Sequence, residues 1–392
     1  MKFFRSIAAY LAYVFLSGLS SLATPYLVDK LFAGQMYLYG ALVSLGNMLR
    51  IPFRFISARL IASIGISSTL VLVILFASLT RVLLWLAYEW GDTLGIMIFA
   101  LSIIIAAAYR AAQGYVVPIA LRKRRYFKTF WFFTLSSLES MLIALAPLIA
   151  SLVLVPTLGR IDLLFPLTAI ALLTLLVPAW KIEGDVTTAR EKTSVRELLR
   201  VEKPPKDLLP LILVVGIDVF AWSTFLPYLY VYLVSRGFSV NSVALSMASF
   251  YAPSVLLPLI GRLLDRIHGD QARLYIALLA CIQVLGVLGL AVLEFQPQVY
   301  IMTFVFIGFA TTITSPLMQS LLNTLTKEKG VEVYANILAW WRNISTIAGF
   351  AGSVAGGILF SRQTIYLKTC IVLLVIVFII YATLLYIEYK IF

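Results

Sequence analysis

Four charged residues sit deep inside long apolar runs: Arg110, Glu139, Asp218 and Arg342. At a rise of about 1.5 Å per helical residue, each lies roughly 15 Å from the inner membrane face if its run spans a bilayer, near the middle of a core about 30 Å thick. Charges at that depth are costly, so they are expected to line a shared polar cavity or to pair across it. Two chemistries fit two acids and two bases at one level. Either Glu139 or Asp218 binds and releases a proton, with Arg110 tuning its proton affinity, or the four form static ion pairs that hold helices together. Gln113, Trp222, Trp341 and Asn343 complete the candidate cavity, the two tryptophans as the deep aromatics able to touch a substrate.

Other chemistries find little support. One histidine, His268, and two cysteines, Cys281 and Cys370, do not make a ligated metal centre or a disulfide framework. No G-x-x-x-x-G-K-[ST] run is present to cradle ATP phosphates, so an ion gradient, with protons as the expected coupling ion, would drive any active process. No cofactor, metal, nucleic-acid partner or enzymatic activity is expected.

The elements that must position these charges follow from composition. The 392 residues are 61% hydrophobic and 12% charged, with a mean hydropathy of +0.98, which leaves too little polar surface for a soluble globule. Twelve runs are long enough to span a bilayer. In the first half they lie near 6–28, 37–61, 66–88, 94–120, 129–154 and 161–180. In the second they lie near 208–234, 241–264, 272–294, 298–325, 332–360 and 364–388. The fold class expected is therefore an all-α polytopic membrane protein, twelve helices in two six-helix bundles with pseudo-twofold symmetry. Residues 1–180 form the first bundle, 181–207 a cytoplasmic connector and 208–392 the second bundle.

Charge placement sets the orientation. Most Lys and Arg residues, including the run Arg122 to Arg125 and seven in the connector, fall on one side, which positive-inside bias makes cytoplasmic together with both termini. Lys30, Arg160, Arg236, Arg362 and Lys368 fall outside. Arg50, Arg54, Arg81, Arg110 and Arg342 lie within helices, and Arg81 reads as a snorkelling or paired residue. Two further features are local. Pro25-Tyr26-Leu27 with Gly34, and Pro227-Tyr228-Leu229 with Gly237, give a faint trace of duplication. Ser194-x-x-Glu197 is a capping-box pattern that opens either a short surface helix or a solvated tether.

Two motifs carry a resemblance. The run from Gly261 to Gly269, GRLLDRIHG, resembles the G-x-L-x-D-R-x-G-R-[RK] loop of the major facilitator superfamily, with the second glycine displaced and the terminal basic pair missing. The expected role is a cytoplasmic latch in which Gly261 permits close approach, Asp265 pairs with a base or caps a helix N-terminus, and Arg266 bridges to a carboxylate. The equivalent region between the second and third runs, FRFISARLIASIG, has Arg54 and Arg59 but no Asp. Arg110-Ala111-Ala112-Gln113-Gly114 resembles the R-x-x-Q-G motif of the drug:proton antiporter branch, where the buried arginine is associated with proton coupling. Small residues at Ala146-Pro147-x-x-Ala150-Ser151 and Gly352-Ser353-x-x-Gly356-Gly357 fit close helix packing.

The resemblance implies a secondary active transporter in the cell membrane that moves a small solute by alternating access. Proton-coupled efflux of a hydrophobic compound is the leading expectation. Uptake of a small organic anion, with Arg110 and Arg342 as counter-charges, and lipid translocation are the alternatives. Two halves suffice for a monomer.

Overall fold

The computed structural model describes residues 2–123, 129–180, 209–266, 300–325 and 330–360, with isolated helical residues between 278 and 289. The connector 181–207, most of the predicted segment near 272–294, all of that near 364–388, residues 124–128, His268, Cys370 and the Arg266 side chain lie outside the described residues. Within them every regular element is helical. In chain order these are α1 Lys2–Leu19, α2 Thr24–Phe32, α3 Met36–Trp90, α4 Asp92–Lys123, α5 Thr129–Ile149, α6 Val155–Leu158, α7 Leu164–Thr174 and α8 Leu176–Trp180. Beyond the connector come α9 Leu209–Ser235, α10 Val240–Tyr251, α11 Leu257–Arg266, α12 Tyr300–Leu325 and α13 Gly330–Phe360.

Seven described stretches are long and apolar enough to cross a membrane, among them Ile7–Phe32, Ser67–Trp90, Phe130–Leu158 and Trp340–Phe360. Large apolar side chains face outward from several of them: Leu152 is 65% and Leu259 67% exposed, a surface suited to lipid rather than water.

Local chemistry explains where helices bend. The first predicted segment is two helices joined by a 3-10 turn at Ser20–Leu22, where the Ser20 and Ser21 hydroxyls donate to the carbonyls of Ser17 and Gly18. Pro25 then opens α2, where a missing N–H costs nothing. Pro147 precedes a π-helical turn at Ala150–Leu154, and Pro253 lies in a 3-10 turn at Ala252–Leu256 between α10 and α11. In both places the proline removes a donor from the i→i−4 ladder and the backbone regroups. Gly34 and Gly237, the glycines of the faint repeat, hold φ of 84° and 77° and close the equivalent turns after α2 and α9, in the left-handed region that a side chain disfavours.

The span Met36–Trp90 is helical throughout its 55 residues, which as a straight rod would measure about 82 Å and separate Arg50 from Arg81 by about 46 Å. Both residues line one cavity. The chain therefore doubles back between them, and the span acts as the two predicted segments 37–61 and 66–88.

Among the described residues, contacts between helices before and after the connector are most extensive where α3 meets α13 and where α5 meets α10 and α11. The first limb of α3 packs on α13: Gly40 sits under the Tyr228 hydroxyl and the Ser353 carbonyl, Ser44 Oγ donates to the Phe350 carbonyl at 2.9 Å, and Arg54 Nη1 donates to the Arg342 carbonyl and Thr346 Oγ1, each at 2.5 Å. α5 packs on α10 and α11. Behind these, Gly349, Gly352 and Gly356 let α13 approach α9 at Val219, Phe220, Ser223 and Thr224. The closest approach of all is Gly308 of α12 against the Phe250 backbone of α10. A β-carbon there would overlap main-chain atoms that no rotamer change can move. Gly308→Ala is expected to destabilise the fold by about 1–3 kcal/mol, read as a lower melting temperature in detergent, whereas Gly114→Ala, whose added carbon meets only the Arg342 side chain at 3.5 Å or more, leaves it unchanged.

Candidate functional site

A cavity of about 200 Å³ opens within the helices that precede the connector, lined from α1, α2, both limbs of α3, and α4. Helical phase puts its lining on one face of each element. Ser17, Ser20, Ser21 and Thr24 recur at i, i+3, i+4 and i+7; Tyr39, Val43, Gly46 and Arg50 follow the first limb of α3; Thr80, Arg81 and Leu84 the second; Phe99, Ser102, Ile103, Ala106 and Arg110 follow α4.

Three of these residues are arginines, and none of the lining residues is an acid. Arg81 is 7% exposed, so it does not snorkel outward. Its Nη1 donates to Tyr109 Oη at 2.7 Å, and its Nη2 donates to Ser17 Oγ. Arg110 interacts with the Tyr109 side chain and faces Tyr13 and Tyr39. It lines the cavity and is more than a third exposed. Arg50 lies within electrostatic reach of both Arg110 and Arg54. The Nε atoms of Arg50 and Arg81 are buried without an acceptor among the described residues. Two like charges repel by roughly 2 kcal/mol at about 8 Å and an effective dielectric constant of about 20. A cluster of guanidiniums around a cavity with no acid among the described lining residues is suited to an oxyanion.

The predicted site residues divide into several groups. Arg110 lines the cavity. Gln113, one turn on, accepts from Tyr13 Oη at 3.3 Å, and Glu139 accepts from Tyr10 Oη at 2.9 Å, with the Tyr10 and Tyr13 rings 6.2 Å apart. The Tyr10 hydroxyl is also hydrogen-bonded to the Gln113 side chain, so Glu139 reaches Tyr13, beside Arg110, through a chain of phenols and an amide. Asp218, 3% exposed, lies on α9 and is not a lining residue. Arg342 donates to the Gly114 carbonyl at 2.7 Å from α13 and is likewise not part of the lining. The Trp222 ring lies against Gly286, which Ala310 also approaches, while Trp341 and Asn343 are on α13, with the Trp341 indole N–H and Asn343 Oδ1 buried without a partner among the described residues.

Two of the three predicted latch residues, Gly261 and Asp265, sit at one contact between α11 and α5. Asp265 Oδ2 accepts from the Phe130 N–H at 3.1 Å, capping the start of α5 from α11, and the Arg262 guanidinium lies 4.9 Å from the Phe130 ring centre. Gly261 faces Phe130 and Phe133, where a β-carbon would lie 3.0 Å from the Phe130 Cα and 2.9 Å from the Phe133 Cβ. Where the first half lacks an Asp, Arg54 reaches the α13 carbonyl of Arg342 instead.

Arg50, Arg81 and the serine face of α1 and α2 were not in the predicted site. The i, i+3, i+4, i+7 spacing of hydroxyls from Ser17 to Thr24 is a signal for that face, and the depth of Arg50 and Arg81 within apolar runs is the signal for the two arginines.

The sequence profile of the Major Facilitator Superfamily matches residues 5–353, and the chain belongs to that family. Solved structures of similar fold include the human organic anion transporter MFSD10 (TETRAN), at 14% identity and a TM-score of 0.64 over 96% of this chain and 99% of that one. The E. coli fucose:proton symporter FucP matches at 15% identity and 0.58 over 97% and 98%. A POT family transporter in complex with a thioalcohol-conjugated peptide matches at 14% and 0.66 over 98% and 96%. Comparison with curated proteins finds no match. The protein is a multi-pass membrane transporter, not an enzyme.

Proposed function

We propose that the protein is a secondary transporter of a small organic anion. One observation carries this reading: three arginines share a cavity whose described lining residues include no carboxylate. An organic cation would meet only like charge there. At about 200 Å³ the cavity is also smaller than the roughly 300–1,000 Å³ pockets that hold drug-sized ligands, which weighs against efflux of bulky hydrophobic compounds and against lipid translocation. That MFSD10 is titled an organic anion transporter agrees with this reading.

The family match supports the helical transporter fold; on this reading twelve helices form two pseudo-symmetric bundles, residues 1–180 and 208–392, in the cell membrane, the positive-inside bias puts the connector 181–207 and both termini in the cytoplasm, and the monomer is the working unit. Alternating access then makes and breaks the contact of Gly261 and Asp265 with α5, with Arg266 assigned to the same latch.

Glu139 is the proposed proton carrier, joined to the anion site by Tyr10, Gln113 and Tyr13. Gln113 thus keeps a role in coupling as in the R-x-x-Q-G motif, although the cargo differs from that of the antiporter branch. Asp218 stands as the second candidate carrier, and Trp222, Trp341, Arg342 and Asn343 as groups that meet the cargo when the bundles rock.

The test is flux in proteoliposomes with labelled gluconate, glycerol 3-phosphate and tetraphenylphosphonium under an imposed pH gradient. At least one anion is expected to accumulate and the cation is not; pumping of the cation alone contradicts the proposal. Glu139→Gln is expected to retain anion exchange while losing at least about tenfold of the pH-driven component, a change of one decade or 1.4 kcal/mol. Unchanged coupling in this variant removes Glu139 from the mechanism.

A further inference from the structure

The guanidiniums occupy only one end of the cavity. Along α4, Ser102 and Arg110 are eight residues apart, about 12 Å, with Ser102 nearer the Asp92 end. Along the α1–α2 run, Thr24 lies seven residues, about 10 Å, from Ser17, which holds Arg81. The end away from the arginines therefore carries the hydroxyls of Ser21, Thr24 and Ser102, with the Phe99 ring one turn beyond Ser102.

Those hydroxyls share a chemical state. Ser21 Oγ donates to the Gly18 carbonyl at 2.6 Å, Ser102 Oγ to Phe99 at 2.6 Å, Thr80 Oγ1 to Phe76 at 2.8 Å, Ser20 Oγ to Ser17 at 3.3 Å and Thr24 Oγ1 to Ser20 at 3.4 Å. A hydroxyl has one hydrogen to give and two lone pairs to receive with. With the Ser21 and Ser102 hydrogens committed at 2.6 Å to the helix behind them, those two oxygens present lone pairs to the cavity, and the Thr24 hydroxyl turns toward its own helix at 3.4 Å. The arginines are the reverse, donors without acceptor capacity. The cavity thus asks for a ligand with an oxyanion at one end and hydrogen-bond donors at the other. Ammonium donors are disfavoured by three nearby positive charges with no acid among the lining residues. Neutral hydroxyl groups are left.

We infer that the substrate is a polyhydroxylated small anion, a sugar acid or a phosphorylated polyol, held by Arg50, Arg81 and Arg110 at its anionic end and by the hydroxyl lone pairs of Ser21, Thr24 and Ser102 at the other. This rests on the anion reading above and sharpens it. A simple fatty acid or alkyl phosphate of the same length would strip water from these lone pairs without replacing it.

The test is calorimetric titration of the full-length protein in nanodiscs with two pairs of probes, gluconate against hexanoate and glycerol 3-phosphate against propyl phosphate. The hydroxylated member of at least one pair is expected to bind at least about tenfold more tightly than its deoxy twin, with the binding pair assigning carboxylate or phosphate as the head group. In the double variant Ser21→Ala, Thr24→Val the preference is expected to shrink to within about threefold. Thr157→Val, which removes an equivalent hydroxyl bonded to the Val153 carbonyl away from the cavity, leaves it intact. Twins that bind equally overturn the hydroxyl inference while leaving the anion reading in place. Failure of all four anions to bind overturns both. A preference that survives the double variant places its origin elsewhere and overturns the assignment to these hydroxyls.

Discussion

Arg110→Gln is expected to weaken anion binding by about 10- to 150-fold without lowering the melting temperature of the ligand-free protein. The affinity loss corresponds to about 1.5–3 kcal/mol for one hydrogen bond to a charged group. The stability prediction separates this account from the ion-pair alternative. If Arg110 were half of a static buried pair, its removal would strand a carboxylate and cost about 3–5 kcal/mol. Its neighbours are instead Tyr109, Tyr13 and Tyr39, with Arg50 in electrostatic reach. Deleting one of several mutually repelling cations relieves the empty site, so the ligand-free melting temperature should hold or rise while stabilisation by the anion disappears. Arg110→Lys keeps the charge but not the planar fork, and should recover only part of the affinity. A variant that melts lower and still binds the anion contradicts the account.

Gly261→Val is expected to reduce turnover at least about tenfold while changing equilibrium anion binding by less than about threefold. The glycine lies against Phe130 and Phe133 of α5, and Asp265, one turn further along α11, accepts from the Phe130 N–H. A branched side chain in that gap separates α11 from α5 at an overpacking cost of about 1–3 kcal/mol, enough to depopulate the contacted state by one to two decades. The anion site lies in the helices before the connector and contains no residue of α11, so affinity should survive. Asp265→Asn, which keeps an acceptor oxygen, should transport better than Asp265→Ala. Wild-type turnover in Gly261→Val would remove this contact from the transport cycle.

Much of the scaffold was legible in the sequence because spanning segments must be long and apolar. The runs near 94–120, 298–325 and 332–360 correspond closely to α4, α12 and α13. Depth could be read in the same way, since a residue count converts to a height in the membrane. Direction around the helix axis could not. Arg110, Glu139, Asp218 and Arg342 were placed at one level, yet Glu139 meets Tyr10, Arg342 meets Gly114 and Arg110 meets Tyr109. Arg50 and Arg81 stood 31 positions apart in the chain, and only the reversal within Met36–Trp90 makes them neighbours across one cavity. The depth of Trp222 makes it a candidate for substrate contact, but depth does not show that its ring lies against Gly286, which is too far along the chain for any local pattern to pair with it.

The most direct test of the central claim is where an anion binds. Crystals of the protein soaked in selenate, measured at the selenium edge, are predicted to show an anomalous peak between the guanidiniums of Arg50, Arg81 and Arg110, and to lose it in the Arg81→Gln, Arg110→Gln double variant. Selenate bound only outside this cavity, or a peak that persists in the double variant, would contradict the assignment of these arginines as the anion site.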